Sequence, residues 1–299
     1  MVEGQRGFIM LKVLLAMVLL VVPSVSVAAD LTRVGFGDGR YYLYAAPPGV
    51  AAPPLVVALH GGGGSPEQFA RSSGLAEVAL REGFAIAVPA GTSGRGGPFL
   101  VWNAGYCCAS AVTRGVDDVA FLDRVVADAS ARAGATGGAY MTGMSNGAMM
   151  AQVYAARRPE RVAALATVAG VMDISDVRIT DAVPFLHIHG TADDRVPYAG
   201  GPGGKLVDEI VFPSVEDLAR AFLKPHGTVV RSRERLDAER DGTQVIRTEW
   251  AKGGRPVGVL LTVEGGGHVW PGSRRARGAG ATREIEANAE VIRFFSAWR

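Results

Sequence analysis

Short, wholly apolar runs alternate along this chain with stretches whose apolar residues recur at helical spacing. The strand-length runs cover residues 55–59, 84–88, 139–142, 163–168, 184–190 and 257–263. One helix is predicted from near Asp117 and another at the carboxyl end, with apolar faces at Val119, Leu122, Val126 and Ala129, and at Ile285, Ile292 and Phe295. Continuous apolar strands separated by helices are typical of parallel sheets covered on both faces. The pattern predicts a single α/β domain with a mostly parallel, doubly wound sheet and helices on both faces.

One strand-to-helix junction carries a candidate nucleophile. Residues 143–147 read Gly-Met-Ser-Asn-Gly, directly after the strand 139–142 and at the start of a helix-forming run that extends to Arg157. This context is that of a nucleophile elbow, a turn so tight that side chains two positions from the serine would collide. The elbow exposes the hydroxyl of Ser145 and aims the backbone N–H of Asn146 at a reacting carbonyl. With 40 Gly in 299 residues, the motif can also arise by chance, so residues further along decide.

An acid and a base follow in the order expected after such a serine. Asp193 and Asp194 come just after the strand 184–190, and His268 comes just after the strand 257–263. The carboxyl ends of sheet strands are where open α/β proteins place their sites. Imidazole can take the proton of a serine hydroxyl, and a carboxylate can orient that imidazole. Asp193 is preferred as the acid, although spacing alone does not separate it from Asp194 and either can be a turn residue.

A glycine-rich loop supplies a candidate for the second oxyanion donor. The strand 55–59 opens into His60-Gly61-Gly62-Gly63-Gly64-Ser65, similar to the loops whose backbone N–H groups stabilise an oxyanion in hydrolases. Gly62 is the first choice for this donor and Gly63 the second. A phosphate-binding loop is the rival interpretation, but the Lys-Ser or Lys-Thr pair of that motif is missing. An inert flexible turn stays open.

Together these motifs resemble a known family, the secreted α/β-hydrolase esterases that group poly(3-hydroxybutyrate) (PHB) depolymerases with feruloyl and acetylxylan esterases. The similar segments are residues 59–65, 102–108, 116–121, 142–148, 189–198 and 267–272, in the family's order. The resemblance implies an α/β-hydrolase fold, a serine ester hydrolase acting through an acyl-enzyme, and Ser145, Asp193 and His268 as its triad. Asp194 is a departure, because many relatives have Pro there.

The resemblance leaves the substrate open among hydroxyalkanoate, feruloyl and acetyl esters. A serine peptidase can use the same three side chains, so it remains an alternative of another class. A non-catalytic polymer-binding protein is a further alternative. No Ser/Thr/Pro-rich linker or added binding module is evident in the sequence, which favours short or soluble esters over crystalline polymer.

The amino terminus predicts export. Arg6 and Lys12 precede an apolar run at 13–22, followed by small residues that end at Ala28 and Ala29. This is the pattern of a cleavable signal peptide, and the apolar run is shorter than the about 20 residues of a membrane span. We therefore expect residues 1–29 to be a signal peptide and 30–299 to be the catalytic domain, in a secreted or periplasmic protein without a membrane anchor after cleavage.

Charge and cysteine content limit the binding partners that the sequence implies. The formal net charge is +2, so neither nucleic acid nor an anionic surface is an implied partner. The expected chemistry needs no cofactor and no metal. Cys107 and Cys108 are the only cysteines; two adjacent thiols cannot by themselves complete a tetrahedral metal site. They are either free buried thiols or, in an exported protein, a vicinal disulfide, and in the similar family this region lies near the substrate cleft.

Other side chains have weaker candidate roles. Trp102 and Trp270 can form walls of the substrate pocket or pack in the core. His187 and His189 alternate on one strand and are expected to have core or supporting roles, because no carboxylate is their neighbour in sequence. His226 is expected to be exposed on a loop.

The proposed base gives a first testable prediction. Activity should rise with pH through a single titration near about pH 6.5, because a neutral imidazole must accept the proton of Ser145. Initial rates on a neutral ester, measured across this range, test it. A flat profile from about pH 5 to about pH 8 would argue against His268 as the base.

Overall fold

The computed structural model describes residues 30–93, 97, 99–204, 209–274, 276 and 280–299. The segment predicted to be a signal peptide lies outside them. Within these residues the strands are β1 (Thr32–Gly35), β2 (Tyr41–Ala45), β3 (Leu55–Leu59), β4 (Ala85–Pro89), β5 (Thr92–Ser93), β6 (Leu100–Val101), β7 (Ala139–Met144), β8 (Val162–Val168), β9 (Phe185–Gly190), β10 (Gly201–Pro202), β11 (Val211–Phe212), β12 (Val230–Leu236), β13 (Gln244–Lys252) and β14 (Arg255–Glu264). The helices are α1 (Pro66–Ser73), α2 (Leu75–Arg81), α3 (Ala109–Thr113), α4 (Asp118–Ala133), α5 (Asn146–Arg157), α6 (Val215–Leu223) and α7 (Ala287–Ser296).

Ten of these strands form one sheet in the order β1-β2-β4-β3-β7-β8-β9-β14-β13-β12. The six central strands, from β4 to β14, are parallel to one another. Antiparallel pairs close both edges of the sheet. Because the central strands are parallel, the segments that follow β3, β7, β9 and β14 all leave the sheet at one edge, where a site can form.

The core lies in two layers, one on each face of the sheet. Side chains alternate between them along β3: Val57 belongs to the layer that contains residues of α4, α5 and α6, whereas Val56 belongs to the layer that contains residues of α2 and α7. All five residues of β3 are buried, as are all six of β9. Burial on both faces explains why β3 is wholly apolar and why the two histidines of β9 need buried hydrogen-bond partners. The predicted fold class, a mostly parallel sheet with helices on both faces, is confirmed.

Helix α4 shows how local sequence sets an element's limits. The side chain of Asp117 accepts a hydrogen bond from the N–H of Ala120, which caps the start. Gly134, with a φ of 68°, ends the helix in the left-handed conformation that glycine adopts readily. Asp118 in the first turn is buried and paired with Arg40 at 2.8 Å.

One expectation about an individual side chain was wrong. His226 is buried, not exposed, in a short 3-10 turn after α6. Its Nε2 lies 3.2 Å from the carbonyl oxygen of Val183, and its own carbonyl accepts a hydrogen bond from Lys252. The turn carries the ring inward because α6 packs its apolar face on the sheet just before it.

The core layer under α4 gives a prediction about stability. Leu122 is fully buried, so Leu122→Ala should lower the free energy of unfolding by about 2–5 kcal/mol through the cavity left behind. Arg124→Ala is the matched control. Arg124 is exposed on the same helix and paired with Asp38, and an exposed ion pair contributes about 1 kcal/mol or less. Equal destabilisation of the two variants in urea unfolding would contradict this packing.

Candidate active site

The junction of β7 and α5 has the geometry of a nucleophile elbow. Ser145 has φ 55° and ψ −127°, a backbone conformation that non-glycine residues rarely adopt. A Cβ on Gly143 would lie 2.6 Å from the carbonyl oxygen of Gly147, and one on Gly147 would clash with carbonyl oxygens at the end of β3. Both positions therefore require glycine, and the turn lifts Ser145 above the edge of the sheet.

Two backbone N–H groups converge beside this serine. Asn146 is the first residue of α5, where an N–H has no partner within the helix. Gly62 lies next to it: a Cβ built on Gly62 would be 3.4 Å from the Cβ of Asn146. The N–H of Gly63 already donates to the carbonyl of Leu100 at 2.8 Å. Gly62 and Asn146 are thus better placed than Gly63 to hold an oxyanion.

The side chains that follow β9 and β14 meet at this same edge. Nδ1 of His268 donates to Oδ2 of Asp193 at 2.7 Å. The other oxygen of this carboxylate accepts the N–H groups of Arg195 and Val196, both at 2.9 Å. Asp194 is exposed and makes no such contact with His268. The geometry therefore favours Asp193 over Asp194 as the partner of the imidazole.

A buried chain of hydrogen bonds connects Asp193 with the interior of the sheet. Nε2 of His189 lies 2.8 Å from the carbonyl oxygen of Val196 and 3.3 Å from Oδ2 of Asp193. Both oxygens only accept, so Nε2 of His189 holds a proton. Nδ1 of His189 lies 2.9 Å from Nε2 of His187, and Nδ1 of His187 lies 2.9 Å from the hydroxyl oxygen of Thr167.

The chain ends on an amide in α5. Nε2 of Gln152 donates to the oxygen of Thr167 at 3.0 Å and to the carbonyl of Gly170 at 2.8 Å. The two histidines share a face, as the sequence predicts, but a carboxylate does adjoin them once the chain has folded.

These contacts set the charge of the acid. Burial alone raises the pKa of the Asp193 carboxyl, but hydrogen bonds from His189 and His268 outweigh burial and hold the pKa below its ordinary value. Asp193 is therefore ionised at neutral pH and can stabilise an imidazolium on His268.

Two cavities meet at Ser145. The smaller, about 360 Å³, is lined by the loop 60–65, by α1 residues, and by Ser145, Arg195, His268 and Trp270. The larger, about 640 Å³, is lined by Gly62, Val101, Cys107, Cys108, Ser145, Asn146, Met149, Asp194, Arg195, Val196 and Phe212, among others. In the described part of the chain, the Ser145 hydroxyl and the His268 ring share the smaller cavity without a direct hydrogen bond. Such bonds often tighten only when substrate is present.

A disulfide joins Cys107 and Cys108 in the wall of the larger cavity. The adjoining chain is fixed to the elbow, because the side-chain amide of Asn146 accepts from the N–H of Trp102 at 2.7 Å and donates to its carbonyl at 3.1 Å. This role of the Asn146 side chain was not foreseen from sequence.

The two tryptophans differ in position. Trp270 lines the smaller cavity, with its indole N–H donated to Asn288. Trp102 is fully buried beneath the glycine-rich loop and donates its indole N–H to the carbonyl of His60. Trp102 does not line either cavity at Ser145. The expectation that it forms a pocket wall is replaced by a role in supporting the loop, because its indole N–H needs a buried acceptor.

Among the residues that the structure describes, no three His, Cys, Asp or Glu side chains are arranged to hold a metal ion. None of the helices that the structure describes combines the length and hydrophobicity needed to cross a bilayer.

The parallel sheet, the elbow after a central strand and the acid and base after later strands define an α/β-hydrolase. Comparison with known proteins narrows this class. Residues 40–199 match the family described as esterase PHB depolymerase. The chain belongs to this esterase family and is a carboxylic-ester hydrolase of the α/β-hydrolase type, which confirms the family resemblance.

Individual relatives agree with this assignment. The chain is 34% identical over 249 residues to NocK of Nocardia uniformis subsp. tsuyamanensis, which is named as an esterase; the match covers 78% of this chain and 70% of NocK. It is 29% identical over 231 residues to feruloyl esterase B of Piromyces equi, covering 74% of this chain and 40% of that protein. Among solved structures, an acetyl xylan esterase from Aspergillus awamori shares the fold with a TM-score of 0.60 at 17% identity, covering 90% of this chain and all of that one.

The adjacent carboxylates give a test of the site. Asp193→Asn should lower kcat by about 10⁴-fold, because an amide at this position no longer holds His268 in the required tautomer. Asp194→Asn, the matched control, should change kcat by less than about twofold. Steady-state rates on one neutral ester distinguish the variants. A greater loss in Asp194→Asn would reassign the acid.

Proposed function

We propose that this protein hydrolyses short or soluble esters, with hydroxyalkanoate esters as the first candidates, through an acyl-enzyme on Ser145. The observation that carries the proposal is that three features lie at one edge of the sheet: the strained Ser145, the N–H groups of Gly62 and Asn146, which have no acceptor among the described residues, and the His268–Asp193 pair. In this arrangement His268 removes the proton of Ser145, and the serine oxygen attacks the ester carbonyl.

The remaining steps use the same groups. The N–H groups of Gly62 and Asn146 hold the oxyanion, while Asp193 orients the imidazole and stabilises its charged form. The alcohol leaves with a proton from His268. Water, activated by the same imidazole, then hydrolyses the acyl-enzyme and releases the acid.

The cavities support small esters as substrates. Volumes of 360 and 640 Å³ fall within the range of about 300–1,000 Å³ that is usual for small-molecule sites. An ester carbonyl at Ser145 can extend one substituent into each cavity. Membership of the PHB depolymerase family supports hydroxyalkanoate esters as the first candidates.

Feruloyl esters are the second candidate class. The larger cavity is mostly apolar, with Phe212 and Met149 in its wall, and such a lining suits an aryl group. The relative from Piromyces equi is named as a feruloyl esterase.

Export remains part of this proposal. The n-region, apolar run and small residues before Ala28 and Ala29 support it. The vicinal disulfide supports it as well, because disulfides persist mainly in oxidising compartments.

Matched substrates test the reaction class. Purified protein should hydrolyse p-nitrophenyl butyrate and should leave the corresponding p-nitroanilide almost unchanged. Ser145→Ala should lower kcat on the ester by about 10⁴-fold or more, since it removes the nucleophile.

Folding of Ser145→Ala should match that of the parent in thermal unfolding, because the substitution removes a single oxygen. Preference for the anilide would favour a peptidase. Full activity in Ser145→Ala would exclude the proposed nucleophile.

A further inference from the structure

The smaller cavity contains a positive charge that its own lining does not balance. Its ionisable side chains, among the described residues, are His60, His268 and Arg195, and none is a carboxylate. Burial lowers the pKa of His60 to about 4, so this imidazole is neutral at neutral pH. Arg195 therefore supplies the permanent charge of the cavity.

The backbone of Arg195 is fixed beside the proposed acid. Its N–H donates to Oδ1 of Asp193 at 2.9 Å, and its carbonyl accepts from the N–H of Gly204 at 3.1 Å. Its side chain lines both cavities and is exposed. In the part of the chain that the structure describes, the guanidinium makes no hydrogen bond, ion pair or ring contact. All five N–H donors of the guanidinium are thus available to a ligand.

The rest of the smaller cavity suits an anion. Besides the glycine loop it presents the hydroxyl of Ser273, whereas the hydroxyls of Ser72 and Ser73 already donate to the carbonyl of Phe69. The amino-terminal end of α5, which begins directly after Ser145, adds a positive potential at the point where the cavities meet.

The larger cavity differs from the smaller one in the charge and in the polarity of its lining. Its wall includes Val101, Met149, Val196 and Phe212, and its one carboxylate among the described lining residues is that of Asp194. Repulsion from Asp194 disfavours an anion there, and the apolar wall favours a neutral hydrocarbon group. An ester placed at Ser145 would therefore have its charged end in the smaller cavity.

We propose that Arg195 forms an anion-binding subsite, and that the preferred substrates are esters with a free carboxylate close to the scissile bond. Short oligomers of a hydroxycarboxylic acid, cleaved at the ester nearest their acid end, have this chemistry. The proposal rests on the proposed function. The planar guanidinium matches a carboxylate with two parallel N–H···O bonds, which fixes the direction of the substrate as well as adding affinity.

A matched pair of substrates tests the subsite. The linear dimer of 3-hydroxybutyrate, as the free acid, and its methyl ester differ in one charge at the end of the molecule. Because the methyl ester adds a second ester bond, the rate is measured on the internal ester that both contain, as release of 3-hydroxybutyrate from the dimer's hydroxyl end together with 3-hydroxybutyrate or its methyl ester from the other. The parent enzyme should hydrolyse the acid with the higher kcat/KM. Arg195→Gln should lower kcat/KM for the acid by about tenfold or more, because a charge-assisted pair is lost. The same variant should stay within about twofold of the parent on the methyl ester.

Two controls separate local charge from general effects. Arg178→Gln removes a cation that is exposed and lines neither cavity, so it should leave both substrates unchanged. Arg195→Lys keeps the positive charge but loses the planar guanidinium. Its kcat/KM for the acid should lie between those of the parent and Arg195→Gln. Turnover of the methyl ester by Arg195→Gln also shows that this variant is folded.

The outcomes are distinguishable. Turnover of the neutral ester, with an equal kcat/KM for the acid in the parent and in Arg195→Gln, would overturn the subsite and leave the esterase intact. A parent enzyme that prefers the methyl ester would overturn it equally. Failure of the parent enzyme to hydrolyse either dimer or any neutral p-nitrophenyl ester would contradict the proposed function, and the subsite with it.

Discussion

The active edge of this protein depends on one close approach, that of α5 to the end of β3 with no side chain between them. Gly147 makes the approach possible, because any larger residue would clash with the carbonyl groups of Leu59 and His60. The approach turns the chain sharply at Ser145 and puts the first N–H of α5 beside that of Gly62. The proposed nucleophile and the two proposed oxyanion donors therefore all depend on a single backbone contact, and the strain at Ser145 persists because the packed strand and helix hold both of its ends.

The interior of the fold could be predicted from sequence and its edges could not. Strands such as β3 and β4 are buried on both faces, so their uniform apolar sequence identifies them. Strand β12 is exposed at six of its seven positions and is rich in arginine, so it has no hydrophobic pattern to detect. It is ordered by pairing with β13 along the sheet edge, an interaction that depends on backbone hydrogen bonds more than on side-chain type.

Within the site, the sequence could identify the candidate side chains but not all of their hydrogen-bond partners. The order of serine, acid and base followed from motifs, whereas the choice between Asp193 and Asp194 needed coordinates. The decisive feature is the tight turn after β9, in which the N–H of Val196 returns to the carboxylate of Asp193. The same turn brings Asp193 to His189, a contact between residues four apart that no periodicity reveals. Engagement of Gly63 with Leu100 is likewise a tertiary effect, since it depends on how β6 crosses the loop.

Asn146 connects two properties of the enzyme that are often treated as separate. Its backbone N–H is the proposed oxyanion donor, while its side chain is hydrogen-bonded to the backbone of Trp102, in the segment that leads to Cys107 and Cys108. The proposed oxyanion donor and a wall of the larger cavity are thus linked through one residue. A substitution that moves the Trp102 segment to widen this cavity therefore also acts on the residue whose N–H is the proposed donor.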